Sequence, residues 1–237
     1  MSETLDCIRS AIEQGHQLHH TVINAAKIVD LQQDQTLRTS VNDSDIINID
    51  GQAVIWAAKL LNKPVKERVA GIDLMQELVV MAYQHGYKIY LLGAKEEVVT
   101  KLVSIFGQQY GHDLIAGYRN GYFTLEEEKE VFRDIEEKKP NMLFIAISSP
   151  KKENLLYTYK NQIKSVNLIM GVGGSFDVLA GYTKRAPLWM QKAGLEWSYR
   201  FMQEPLRMWK RYLVGNASFL YLLFKAKLMT NKTKTDA

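Results

Sequence analysis

NMLFIAISSPKKENLLYTYKNQIKSVNLIMGVGGSFDVLAG, residues 141–181, holds the unit from which the fold is read. NMLFIAI and SVNLIM are short and almost wholly apolar, the pattern of strands covered on both faces, and strands of that kind pair in parallel. The residues between them, 151–162, carry a helical pattern. Outward along the chain the alternation repeats: HTVIN (20–24), DIINID (45–50), KIYLL (88–92) and DLIAGY (113–118) each precede a helical pattern or a turn. Further helices are expected at 52–61, 73–84, 95–108 and 124–137. Short strands alternating with amphipathic helices give the α/β class, a mostly parallel sheet with helices on both faces.

The signals change after Gly181. Strand patterns stop, and aromatic residues interleave with cations: Arg185, Trp189, Trp197, Tyr199, Arg200, Trp209, Lys210, Arg211 and Tyr212. The division expected is an α/β body over 1–181 and a basic, aromatic helical appendage over 182–237. Pro187 suits the first turn of a helix and Pro205 interrupts one, so the appendage reads as two or three short helices. The last contains SFLYLLFKAKLM (218–229), and the tail beyond Met229 reads as disordered.

Charge follows the same division. Residues 184–234 hold eleven Lys or Arg against two acids, Glu196 and Glu204, a net of +9, so in a chain of net charge +4 the remainder carries −5. A basic segment of this kind attracts nucleic acid, anionic lipid or a phosphorylated substrate, and charge alone does not choose among them. Against nucleic acid, the acidic body repels a polyanion and no known recognition helix or RNA-binding sheet motif is present, so nucleic acid is not an expected partner. The single cysteine, Cys7, excludes an intrachain disulfide framework and a multi-thiolate zinc site, and points to the cytoplasm. No run of about 18 apolar residues appears, so any membrane contact is expected from the side.

Four segments carry candidate chemistry. DIINIDG ends a strand with Asp50 and Gly51; a carboxylate there either faces the crevice where open parallel sheets bind ligands or caps the next helix. KIYLLGAKEEV offers one glycine at a strand-to-helix turn, without the three-glycine dinucleotide fingerprint or the P-loop lysine, and a nucleotide-binding oxidoreductase is disfavoured with it. GVGGSFDV places Gly171, Gly173 and Gly174 after a buried strand, with Ser175 and Asp177 at a helix start. Three glycines there favour close approach of a ligand, a diphosphate or ribose. ISSPKKEN sets Ser148, Ser149, Lys151, Lys152 and Glu153 at another strand end, where the lysines either meet phosphate or sit in water. His16, His19 and His20 have no partner at a recognised metal spacing, so neither a bound metal nor a cofactor is expected.

NIDG (48–51), RVAGIDL (68–74), SSPKKE (148–153), GVGGSFDVLAG (171–181) and above all KRAPLWMQKAGLEWSYRFMQEPLRMWKRYLVGN (184–216) together resemble the WecG/TagA/CpsF glycosyltransferases, over residues 21–216. The resemblance implies a Rossmann-like core and an inverting transfer of N-acetylmannosamine, its uronic acid or a related sugar. The donor it implies is a UDP-sugar and the acceptor an undecaprenyl-diphosphate-linked sugar, in cell-surface polysaccharide synthesis such as teichoic acid or exopolysaccharide. The appendage would approach an anionic membrane surface, leaving the protein peripheral at the inner face of the cell membrane. By position, Asp50 resembles the family's proposed general base, Asn24 a residue lining its pocket and Arg68 a pocket cation. Asp177 matches the acid after the glycine turn, and Arg200, Arg207 and Arg211 match arginines thought to contact the diphosphates. Two positions depart from the family pattern: Val22 stands where many members have threonine, and Lys152 where many have glutamine. Both leave the identity of the sugar open, and the sequence also leaves open a homo-oligomer.

Overall fold

The structure, a computed structural model, describes residues 1–63, 65–209 and 215–235, apart from the side chains of Arg207, Met208 and residues 230–235. The first stretch comprises α1 (Ser2–Glu13), β1 (Leu18–Ile23), α2 (Ala25–Asp30), α3 (Gln35–Asn42), β2 (Ile46–Ile49) and α4 (Gln52–Leu60). Then come α5 (Gly71–His85), β3 (Ile89–Gly93), α6 (Glu96–Tyr110), β4 (Ile115–Arg119), α7 (Leu125–Lys138), β5 (Met142–Ala146), α8 (Lys151–Tyr159), β6 (Leu168–Gly171) and α9 (Ser175–Leu179). The last described elements are α10 (Leu188–Lys192), α11 (Glu196–Gln203), α12 (Pro205–Trp209) and α13 (Gly215–Thr235).

The six strands of the described residues form one all-parallel sheet in the order β2-β1-β6-β5-β3-β4, so the α/β, Rossmann-like class holds. The two apolar runs at 141–147 and 165–170 are indeed central. β5 lies between β3 and β6, in register Phe144 with Leu91 and Phe144 with Met170, and Met142, Leu143, Phe144 and Ile145 are fully buried. A strand covered on both faces has no use for alternating polar residues, which is why these runs are apolar throughout. The helices expected near 52–61, 73–84, 95–108, 124–137 and 151–162 all appear. α7 starts where the sequence dictates: Thr124 forms a capping box with Glu127, whose side chain accepts from the Thr124 N–H at 2.8 Å. The glycine of KIYLLGAKEEV is steric: Gly93 has φ +122°, and a Cβ there would meet the Ala146 carbonyl carbon at 2.5 Å.

Contacts divide the chain into two units. The first comprises Met1–Thr21, Thr39–Ile47 and Gly71–Lys184. Its core packs Leu92, Phe132, Ile135, Leu143, Ile145 and Ile169 around β3, β5 and β6. The second comprises Val22–Arg38, Asn48–Ala70 and Arg185–Ala237. Its core is smaller: Ala25, Val54, Ala57 and Phe219, with Ile28, Val29 and Leu223 against them, so that α13 packs on α2. The chain passes for the last time from the first unit to the second at 184–185, close to the expected change of character. The second unit also takes in 22–38 and 48–70, stretches that the sequence analysis grouped with the body.

The appendage, expected as two or three short helices, has four among the described residues, α10 to α13, the last of 21 residues. Before β2, three helices have no counterpart in the sequence analysis. In α1 the buried residues Thr4, Ile8, Ala11 and Ile12 do follow a helical stripe, but only two of the four are strongly apolar. α2 and α3 have 6 and 8 residues, too short to establish a period. α13 continues past Met229, where disorder was expected; extending a helix already formed carries no new nucleation cost.

Candidate active site

In the second unit, a charged chain of four side chains surrounds the end of β2. Arg68 stands at its centre. Its Nη2 donates to Asp50 Oδ1 at 3.2 Å and to Glu196 Oε2 at 2.9 Å, and its Nε donates to the Asp50 carbonyl at 3.1 Å. Arg185 Nε donates to the other oxygen of the same glutamate, Glu196 Oε1, at 3.4 Å. The order Asp50, Arg68, Glu196, Arg185 thus alternates in sign. These side chains are a third exposed or less, from 33% for Asp50 to 19% for Glu196, so their attraction is screened less than that of a surface pair. Burial opposes the charge on Arg68. The hydrogen bond with Glu196 and the charges of Asp50 and Glu196 outweigh it, and the guanidinium pKa stands above its ordinary value.

The backbone explains the position of Asp50. Its N–H donates to the Ile23 carbonyl at 3.0 Å, and the Ile49 carbonyl accepts from Val69 N–H at 3.0 Å, so the end of β2 is held by β1 on one flank and by the segment carrying Arg68 on the other. Gly51 follows at the N-cap of α4 without a side-chain cap. Asp50 therefore stands before the cap position, with its side chain turned to Arg68. Asn24 adjoins this turn, its Cα 3.3 Å from where a Gly51 Cβ would lie, and its own side chain caps α2 by accepting from Lys27 N–H at 3.0 Å.

In the first unit, the turn after β6 brings Gly171, Gly173, Gly174 and Asp177 together, but its glycines do different things. A Cβ on Gly171 would meet Lys152 Nζ at 2.7 Å, so that glycine makes room for the lysine. Gly173 has φ +54° and, like Gly174, faces open space. Ser175 turns inward and donates to the Val172 carbonyl at 2.7 Å. Asp177 is half-buried, and its carbonyl accepts from Tyr182 and Thr183 N–H. Lys152 is buried, with its Nζ 3.0 Å from Glu153 Oε1, which also accepts from Ser149 Oγ at 2.8 Å. The same lysine acts on His19. Burial first, then the charges of Lys152 and Lys160, lower the His19 pKa from 6.5 to about 4 against the opposing pull of Asp45. Among the described residues no group of three or more metal-ligating side chains gathers.

The remaining candidates lie along the C-terminal segment. Arg200 is half-buried on α11, one helical turn beyond Glu196. The side chain of Arg207 and the whole of Arg211 lie outside the described residues, as do Lys210 and Tyr212. Trp189, Trp197 and Trp209 are 65%, 46% and 49% exposed, and α13 turns Leu220, Tyr221, Phe224 and Leu228 to solvent while Phe219 and Leu223 face α2. Among the described residues no helix is long and apolar enough to cross a membrane.

Residues 1–233 match the family described as Glycosyl transferase WecG/TagA/CpsF family. The chain belongs to this family. One relative is the N-acetylglucosaminyldiphosphoundecaprenol N-acetyl-beta-D-mannosaminyltransferase of Bacillus subtilis (strain 168), 37% identical over 174 residues. That alignment covers 73% of this chain and 66% of the relative, so the chain spans about two thirds of its length. A protein of the same name from Staphylococcus aureus (strain MW2) is 37% identical over 196 residues, 82% of this chain and 74% of the relative.

For this WecG/TagA/CpsF glycosyltransferase, the structure joins Asp50 to Arg68 directly, sets Asn24 beside their turn, and groups Lys152 with Gly171. Among the described residues, Arg200 on α11 is not joined to them by a hydrogen bond or ion pair. Sequence reasoning missed Glu196 and Arg185, the far half of the charged chain, and the pairing of Lys152 with Glu153. A signal for Glu196 was present: it is one of only two acids in the basic stretch 184–234.

Proposed function

We propose that this protein transfers N-acetylmannosamine from UDP-N-acetylmannosamine to N-acetylglucosaminyl-diphosphoundecaprenol, with inversion at the anomeric carbon. The observation that carries the reading is the Asp50 carboxylate, fixed at a strand end by Arg68, in a chain whose relatives are named for this transfer. An inverting displacement needs one base. The acceptor hydroxyl oxygen bonds to the anomeric carbon while the bond from that carbon to the diphosphate oxygen breaks on the opposite face. The electron pair leaves with UDP, and the hydroxyl proton passes to Asp50. Cations offset the charge growing on the leaving group, and Arg200, Arg207 and Arg211 are assigned to the acceptor diphosphate. Arg68 holds the base.

The donor diphosphate is assigned to the turn of Gly173, Gly174 and Asp177, since the first two face open space. Lys152 supports a neutral sugar over an acidic one, because its ammonium is buried and already paired with Glu153. The exposed tryptophans and the outward face of α13, in a stretch of net +9, support peripheral binding to the anionic inner face of the cell membrane. In this reading 1–181 is the catalytic body and 182–237 the membrane-facing appendage.

The test is transfer from labelled UDP-N-acetylmannosamine to an N-acetylglucosaminyl-diphosphate lipid in anionic vesicles. The expected product is the acceptor heavier by one N-acetylhexosamine in β linkage, with one UDP released per transfer. Folded protein that binds UDP yet makes no product from any UDP-N-acetylhexosamine would overturn the reading.

A further inference from the structure

We propose that Glu196 is a positioning residue for the transfer: it shares the Arg68 guanidinium with Asp50 and thereby keeps Asp50 a competent base. This rests on the reading of Asp50 given above. A carboxylate hydrogen-bonded by an arginine of its own is a poor base, because the cation stabilises the ionised form and the proton has less to gain there. Arg68 does not give itself wholly to Asp50. The same Nη2 serves both carboxylates, and the Glu196 contact, at 2.9 Å, is shorter than the Asp50 contact, at 3.2 Å. Glu196 thus draws the cation away from Asp50 and adds a negative charge on the far side of it. Both effects raise the affinity of Asp50 for a proton. Arg185, on the other oxygen of Glu196, fixes its orientation.

Other described residues adjoin Asp50. Asn24, at the end of β1, and Gln52, in the first turn of α4, are neutral. Lys66 and Glu67 precede Arg68, are exposed, and carry opposite charges. Glu196 belongs to α11, and Asp50 ends β2, almost 150 residues earlier. The base is therefore tuned by the C-terminal segment, which the sequence otherwise marks by its cations and aromatic residues.

Glu196→Gln tests this, since it keeps the shape and removes the charge. Two measurements are made beside Asp50→Asn. In the first, carbon-13 titration of the Asp50 carboxyl, with Asp50→Asn identifying the signal, reads the base without any turnover. The Asp50 midpoint is expected to fall by about one pH unit in Glu196→Gln, the low end of what an adjacent arginine produces. In the second, the acid limb of the kcat profile is expected to move down with it, and the plateau to fall by roughly tenfold, a part of the ~100-fold or more that a general base supplies. A merely structural role lowers the plateau and leaves the limb in place. Should Glu196→Gln not fold, Glu196→Asp, which keeps the charge but withdraws it from Arg68, is expected to show a smaller shift in the same direction. An unmoved Asp50 midpoint in the folded variant would overturn the role of Glu196. Near-normal turnover by Asp50→Asn would overturn the role of Asp50 itself, and with it the proposal.

Discussion

The end of β2 and the end of β6 are both strand termini with a glycine and a charged residue, yet they are built on different principles. At β2 the charge is on the chain's own turning point. Asp50 is a third exposed, and hydrogen bonds hold its carboxylate, its carbonyl and its N–H. At β6 the glycines themselves carry no charge; Asp177 follows on α9, and a second charge arrives from α8: Lys152 fills the space where a Gly171 side chain would be and is paired with Glu153. Partial exposure lets a group exchange protons and meet substrate. Burial with a partner fixes shape. The contrast teaches that a glycine-rich turn is no uniform ligand cradle, since one of its glycines serves the protein's own packing and only two face open space.

The largest effect expected is at the first of these places. Asp50→Asn should lower kcat by about 100-fold or more while changing the melting temperature little, because the amide keeps the shape and one acceptor for Arg68. A transfer assay beside a thermal melt measures both. If the loss appears as instability instead, the β2 terminus is structural like the β6 terminus, and the contrast collapses.

Next comes the pH response of the lysine's neighbourhood. His19 is neutral in the folded protein, with its pKa lowered to about 4, and takes up a proton near 6.5 when unfolded. Its contribution is complete above about pH 6.5 and is lost as the pH falls towards 4, with no further loss below, by at most about 3 kcal/mol. Urea unfolding at pH 7 and at pH 4.5 should show this loss, and His19→Gln should reduce it. A loss of the same size in the variant would assign the acid sensitivity to carboxylates elsewhere.

Smaller still is the effect at the glycines. Gly171→Ala should destabilise by about 1–2 kcal/mol, since its Cβ meets Lys152, and Lys152→Ala in the same chain should recover part of that. Gly174→Ala, into open space, should cost less than about 0.5 kcal/mol. Gly173→Ala should fall between them, because φ +54° strains any side chain whatever the room. Equal costs at 171 and 174 would mean that Lys152 yields freely, and the turn would be uniform after all.

The sequence by itself determined the class of fold. Six strand patterns and five helix patterns survive with boundaries shifted by a few residues, because period and apolarity are local properties written into each segment. It also determined the places where chemistry is sought, since a charged residue or a run of glycines after a buried strand is visible without coordinates. Only the tertiary structure decided what those residues do. Nothing between Asp50 and Glu196 in the chain announces that one guanidinium joins them, for ion pairs between distant residues carry no period and no spacing. Nor does GVGG tell its first glycine from the others: that distinction depends on a lysine from the preceding helix, and contact between side chains is a property of packing in three dimensions.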